Sequence, residues 1–141
     1  MRMNILEMTI ADYEEVVALW QKTEGIGLHD DVDSKEGIAN YLERNPSLSF
    51  VARENGKIIG AVLCGQDGRR GYLNHLAVDS AWRKKGIGKG LVAHCLGGLK
   101  KAGISRCNIH VFADNQHGHS FWKHLGWSER NDLKVMYCRS T

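Results

Sequence analysis

The sequence predicts an α+β fold, a mixed sheet with helices on its faces, and three observations predict it. Apolar periodicities run in the order strand, two helices, three strands, helix, strand, helix and final strand. Two strand-like runs meet at Asn55-Gly56, the dipeptide that best tolerates the positive φ angles of a tight hairpin turn. A chain of 141 residues, 43% of them hydrophobic, suits one domain around one core spanning residues 1–141.

Residues 5–8 read as the first strand, after which Thr9 offers a hydroxyl cap to a helix with Tyr13, Val16, Val17 and Trp20 at helical spacing. Residues 25–33 hold two glycines, His29, Asp30, Asp31 and Asp33, a loop composition. Asp33 with Glu36 has the form of a capping box opening a helix through Ile38, Tyr41 and Leu42, which Asn45-Pro46 stops. Residues 49–53 and 57–63 make the hairpin, and the loop Gly65-Gln66-Asp67-Gly68-Arg69-Arg70-Gly71 leads to a strand over 72–78. Leu91, Val92, Cys95, Leu96 and Leu99 mark the next helix, closed by Gly103, inside which Gly97-Gly98 suggests close packing against the sheet. Residues 107–112 read as a strand, 118–125 as a short helix ended by Gly126, and 133–138 as a last strand.

A formal net charge of +3 is too weak a bias to point to nucleic acid or membrane as a partner. Cys64, Cys95, Cys107 and Cys138 stand far apart with no C-x-x-C pair, so they read as buried thiols in a reducing compartment. The start of the chain lacks the apolar run of a leader, and no stretch approaches the ~18 apolar residues that span a bilayer, so a soluble cytoplasmic protein is expected. His117, His119 and His124 lack carboxylate or thiol partners at a matching spacing, so no metal is expected.

The segment Arg83-Lys84-Lys85-Gly86-Ile87-Gly88-Lys89-Gly90 lies between the strand ending at Val78 and the following helix. A glycine-rich turn at a helix start leaves backbone N–H groups unpaired and pointing outward, where the helix dipole adds partial positive charge. Glycines let the main chain approach a phosphate, and Arg83, Lys84, Lys85 and Lys89 add full charges around it. Leu91 stands where a dinucleotide fingerprint needs its third glycine, and Gly90 follows Lys89 where a P-loop needs Ser or Thr. The remaining expectation is an anion site of another kind.

Leu76-Ala77-Val78, four further residues and then Arg83-x-x-Gly86-x-Gly88 resemble the coenzyme A signature of the GNAT superfamily of N-acetyltransferases. Asn115 followed by Phe121-Trp122-x-x-Leu125-Gly126-Trp127 is similar to the family's second half-signature, and the loop at residues 67–71 suggests its YpeA-like bacterial branch. The resemblance implies a sheet splayed at its centre, with acetyl-CoA as acyl donor between the parted strands and an amine of a small molecule or peptide as acceptor. It implies that the backbone of Leu76 and Val78, flanking Ala77, pairs with the pantetheine arm, while Arg83, Lys84, Lys85, Gly86, Ile87, Gly88, Lys89 and Gly90 hold the pyrophosphate. Asn115 would contact the pantetheine and Trp122 would lie near the thioester sulfur. Homodimers are common in the family.

Amide formation needs a neutral amine, so some group must take a proton. On a regular strand Tyr72 and Asn74 share one face while Leu73 and His75 share the other, a parity that a bulge of the kind usual in the family would change. His75 is chemically the best base, with an unperturbed pKa of about 6.5. Tyr72 aligns with a position where some relatives place a basic residue, but a phenol is a poor base at neutral pH. Trp122 stands where many relatives have a tyrosine that protonates the leaving thiolate; an indole donates a hydrogen bond without giving up its proton. By the resemblance, the loop with His29, Asp30, Asp31 and Asp33 borders the acceptor site, together with Asn74, and suits a cationic acceptor, with capping of the next helix the other role open to Asp33. A coenzyme A binding module without catalysis and a protein N-terminal acetyltransferase are the rival readings.

Overall fold

The computed structural model describes residues 3–141; Met1 and Arg2, part of the start read as leaderless, lie outside the described residues. The chain divides into two compact units, Met1–His110 and Val111–Thr141. The first unit contains β1 (Met3–Glu7), α1 (Tyr13–Gln21), α2 (Lys35–Arg44), β2 (Phe50–Glu54), β3 (Lys57–Gln66), β4 (Gly71–Val78), α3 (Ile87–Lys101) and β5 (Cys107–Ile109).

A 3-10 turn over Ile10–Asp12 precedes α1, and there the Asp12 carboxylate accepts from the Thr9 amide at 2.9 Å. Glu14 and Glu15 complement the dipole in the first turn of α1, while Val16, Leu19 and Trp20 are buried on one face. The expected cap of α2 shifts by one residue. Ser34 accepts from the Gly37 amide at 3.0 Å, which releases the Asp33 carboxylate from capping.

The sheet has the order β1-β2-β3-β4-β5. Its first four strands pair antiparallel and β5 lies parallel to β4, so the sheet is mixed. Asn55 and Gly56 both have positive φ, 50° and 81°, in the hairpin between β2 and β3. On one face Val16, Leu19 and Trp20 of α1 and Ile38 of α2 pack with Val51, Ile58, Ala61, Leu63 and Ala77. On the other, a Cβ at Gly60 would stand 3.1 Å from both Ile87 and Leu91, so α3 rests directly on β3. Gly98 faces the Ser47 carbonyl and Leu48, where a Cβ would come within 2.9 Å of each; the close packing is against the segment ahead of β2, and nothing in the structure explains Gly97.

The thiols depart in part from the expectation. Cys64 and Cys95 are buried, Cys107 is half-buried and Cys138 is exposed. Contact with the Cys64 thiol, then burial, pushes the Cys95 thiol far up, and burial pushes Cys107 up to about 12. Both stay protonated at neutral pH and are poor nucleophiles.

The β3–β4 register shows why strand parity misplaces His75. Ala61 faces Ala77 and Leu63 faces Asn74, so the single residue Val62 opposes both His75 and Leu76. One extra residue in β4 is a bulge, and His75 sits in it at φ 54°. It turns His75 toward α1, against Trp20, and so Leu73 and His75 do not share a face.

The second unit holds α4 (Gln116–His124), starting two residues before the expected 118, because Asn115 caps it by accepting from the Gly118 amide at 3.0 Å. Gly126 ends the helix region with φ 92°. β5 stops at Ile109 rather than 112, and residues 133–138 form no strand. Leu133, Val135, Met136 and Tyr137 are all exposed there. Alternation of apolar residues tells which face a strand would bury; the strand itself also needs a partner for its backbone groups, and these residues have no ladder.

Candidate functional site

The site is built where β4 outruns its neighbour. The parallel ladder pairs Gly71, Tyr72 and Leu73 with Cys107, Asn108 and Ile109, and β4 then continues to Val78 with β3 alone. That edge, which includes Leu76, Ala77 and Val78, opens a gap in the sheet beside which an extended chain can pair.

Past Val78 the chain enters a fixed turn. The Asp79 amide donates to the Ile59 carbonyl at 2.8 Å, its carboxylate accepts from Ala81 N–H at 3.0 Å, and Lys22 pairs with it at 3.0 Å. The Ala81 amide and then Lys22 hold this carboxyl below its usual range, so it stays ionised. A 3-10 turn over Ser80–Trp82 follows, with Lys85 Nζ 5.9 Å from the Trp82 ring centre. Arg83, Lys84, Lys85 and Lys89 are exposed, while Ile87 and Gly88 are buried.

Gly86 adopts φ 80° as the residue before α3, a left-handed conformation that costs other L-residues about 1–2 kcal/mol. Among the described residues no side chain caps α3. Its first internal bond is Gly90 N–H to the Gly86 carbonyl at 3.0 Å, leaving Ile87, Gly88 and Lys89 amides without helical partners. Each such amide given to an anionic oxygen contributes about 1.5–3 kcal/mol. Free amides, the dipole and four exposed cations converge here, as the sequence predicts.

His75 lies within this open stretch of β4 and is held from three directions. Its Nε2 is 2.9 Å from Asp33 Oδ1, its ring meets Trp20 edge-on with centroids 4.9 Å apart, and its carbonyl accepts from Trp20 Nε1–H at 2.8 Å. The indole bond helps offset the positive φ of the bulge. Asp33 is expected from the sequence in the acceptor-side loop or as a helix cap, and its pairing with His75 is what sequence reasoning missed. The two stand 42 positions apart, and no local pattern links them.

Other expected site residues fall in several places. Asn74 is exposed beside His75. His29, Asp30 and Asp31 are exposed in the loop that Asp33 ties to His75, so the fold brings this loop to β4. Tyr72 lies in the paired part of β4, its ring tilted against His110 at 6.5 Å, and does not join His75. Asn115 uses its side-chain oxygen to cap α4. Trp122 stacks edge-on between Phe121 and Trp127, with centroids 5.1 Å and 4.8 Å away. Among the described residues no group of three or more His, Cys, Asp or Glu side chains is placed to hold a metal, and no helix is long and apolar enough to cross a membrane.

Comparison with known proteins places this geometry. The chain is similar to an acetyltransferase of Photorhabdus laumondii, 29% identical over 91% of this chain and 88% of that one. Its fold matches the PaiA N-acetyltransferase of Thermoplasma acidophilum in complex with coenzyme A, with TM-score 0.77, 24% identity and 89% of each chain covered. It also matches the AAC(6')-Iy structure with a bisubstrate analogue, CoA-S-monomethyl-acetylneamine, with TM-score 0.78, 20% identity, and 100% and 99% coverage. The profile of the acetyltransferase (GNAT) family matches residues 13–127, across both signatures and the His75 bulge, and the chain belongs to that family.

Proposed function

We propose that this protein moves the acetyl group of acetyl-CoA onto an amine of a small molecule or peptide, as one catalytic domain of residues 1–141 in the cytoplasm, without a metal. One observation carries the reading: the edge of β4 that has lost β5 runs directly into the uncapped, cationic start of α3. That donor set fits a diphosphate, which needs several N–H groups and positive charge in one turn. Arg83, Lys84, Lys85 and Lys89, with the free amides of Ile87, Gly88 and Lys89 between Gly86 and Gly90, hold the pyrophosphate, and Leu76 and Val78 pair with the pantetheine amides. The structure complexed with coenzyme A supports this as a relative of the same fold. By resemblance, Asn115 and Trp122 serve the thioester end, and the loop at residues 67–71 supports the YpeA-like branch.

In the reaction the amine nitrogen attacks the thioester carbonyl, a C–N bond forms, the C–S bond breaks and coenzyme A leaves as its thiolate. His75 takes the proton that the amine gives up, since its imidazole sits in the stretch of β4 that has lost β5. Tyr72 ranks behind it because its phenol holds its proton at neutral pH. Asn74, His29, Asp30 and Asp31 face the acceptor and favour a cationic one.

Acetyl-CoA is incubated with neamine, a peptide with N-terminal alanine and 2-phenylethylamine, with release of free thiol and product mass followed. Transfer to at least one amine is expected. Binding of acetyl-CoA with no transfer to any of them would mean a coenzyme A binding module, and absence of binding would remove the reading altogether.

A further inference from the structure

We infer that Asp33 is a positioning residue for the acetyl transfer: it fixes the tautomer and the orientation of His75, so that Nδ1 is the atom that accepts the amine proton. The inference rests on the reading of His75 as the proton acceptor. It goes beyond that reading in assigning a second residue and in naming the ring atom.

Asp33 is clamped far more firmly than a loop acid that caps a helix or faces water. Its side chain is 9% exposed and that of His75 19%. Both of its oxygens are engaged, Oδ1 with His75 Nε2 at 2.9 Å and Oδ2 by the His29 amide at 2.9 Å. Its backbone is held as well: Asp33 N–H donates to the His29 carbonyl at 2.8 Å, and the Tyr13 hydroxyl donates to the Asp33 carbonyl at 2.7 Å. The capping duty that would explain an acid here belongs to Ser34.

A carboxylate only accepts hydrogen bonds, so a neutral His75 facing Oδ1 carries its hydrogen on Nε2. Nδ1 then holds the lone pair. Trp20 limits rotation of the ring from one side and holds its backbone carbonyl, so Asp33 and Trp20 together leave the imidazole one seat. When Nδ1 takes a proton, the resulting imidazolium lies beside a buried carboxylate that needs no rearrangement to stabilise it. Trp20 lies in the last turn of α1 and Asp33 just before α2, so the end of α1 and the connection that follows it frame the base.

The tautomer is read directly in the unaltered protein by long-range 15N–1H correlation of the His75 ring, recorded with the ring neutral. A protonated Nε2 and a bare Nδ1 are expected; the Nδ1–H form in the folded protein would overturn the inference whatever any variant does. Asp33→Asn keeps the size of the side chain and removes the obligatory acceptor. With the best amine of the panel above it should lower kcat at least tenfold with the KM for acetyl-CoA unchanged, and the Nε2–H signature should be lost or mixed. An unchanged kcat in folded Asp33→Asn, where His75→Ala is inactive, would overturn the positioning role and leave the base in place. Full activity of folded His75→Ala would instead remove the base reading beneath it.

Discussion

Trp20→Phe tests whether the fold itself holds the base in place. Trp20 is 0% exposed, and its Nε1–H donates to the carbonyl of His75, in the β4 bulge, at 2.8 Å. Phenylalanine keeps an aromatic ring in the core but deletes that donor, leaving the His75 carbonyl without its indole partner at a cost of about 1–3 kcal/mol. The smaller ring also loses packing and part of the edge-on contact with His75, a pair worth about 0.5–1.5 kcal/mol. The expected loss is therefore about 2–4 kcal/mol, read as a fall in the urea midpoint with the slope unchanged. Because φ at His75 is 54°, loss of the indole bond leaves the bulge with Asp33 and the β3 register to hold it, so the imidazole should be less well fixed and kcat should fall while acetyl-CoA binding holds. A loss below about 0.5 kcal/mol with full activity would refute the claim that this bond maintains the bulge.

Two further outcomes follow from particular side chains. Burial, then the nearby Cys64 thiol, pushes the Tyr41 hydroxyl up to about 12, above its ordinary value. The folded state thus keeps this proton more tightly than the unfolded chain. Its contribution is complete below about pH 10 and is lost as pH rises through about 12, a total of roughly 2–3 kcal/mol. Urea unfolding across that range should show the decline in the parent protein and a flatter profile in Tyr41→Phe; identical profiles would remove Tyr41 as the cause. Trp122→Phe retains an aromatic ring beside Phe121 and Trp127 and removes one neutral donor, so kcat/KM should fall about tenfold or less. A thousandfold loss in a folded, coenzyme-binding variant would show that the indole carries far more of the transition state.

What was legible in the sequence was local. Asn55-Gly56, the glycine spacing at residues 83–90 and the strand before it each declare their backbone geometry within a few residues, and the structure agrees at each. Family resemblance added the splay of the sheet, which appears as the ladder ending at Leu73 and Ile109. The Asp33–His75 pair was not legible, because it depends on a bulge that reverses strand parity and on a cap that falls on Ser34 instead. Both shifts are single-residue displacements, and the three-residue spacing from Asp33 to Glu36 favoured Asp33 as the cap over Ser34, a residue that caps equally well. The apolar run at 133–138 shows the opposite error, a strong pattern over residues that make no ladder.

Binding of the acetyl-CoA pyrophosphate at the start of α3 is read by amide NMR during titration with acetyl-CoA, alongside calorimetry. Shifts concentrated at residues 86–90 and at Leu76 and Val78 are expected in the parent protein. Gly88 is buried in the first turn of α3, and on the proposed reading Gly88→Val should hinder the close approach of this turn to the phosphates. In a variant shown by its spectrum to be folded, binding should fall at least a hundredfold. Shifts confined to other parts of the protein, or unchanged affinity in folded Gly88→Val, would contradict the account.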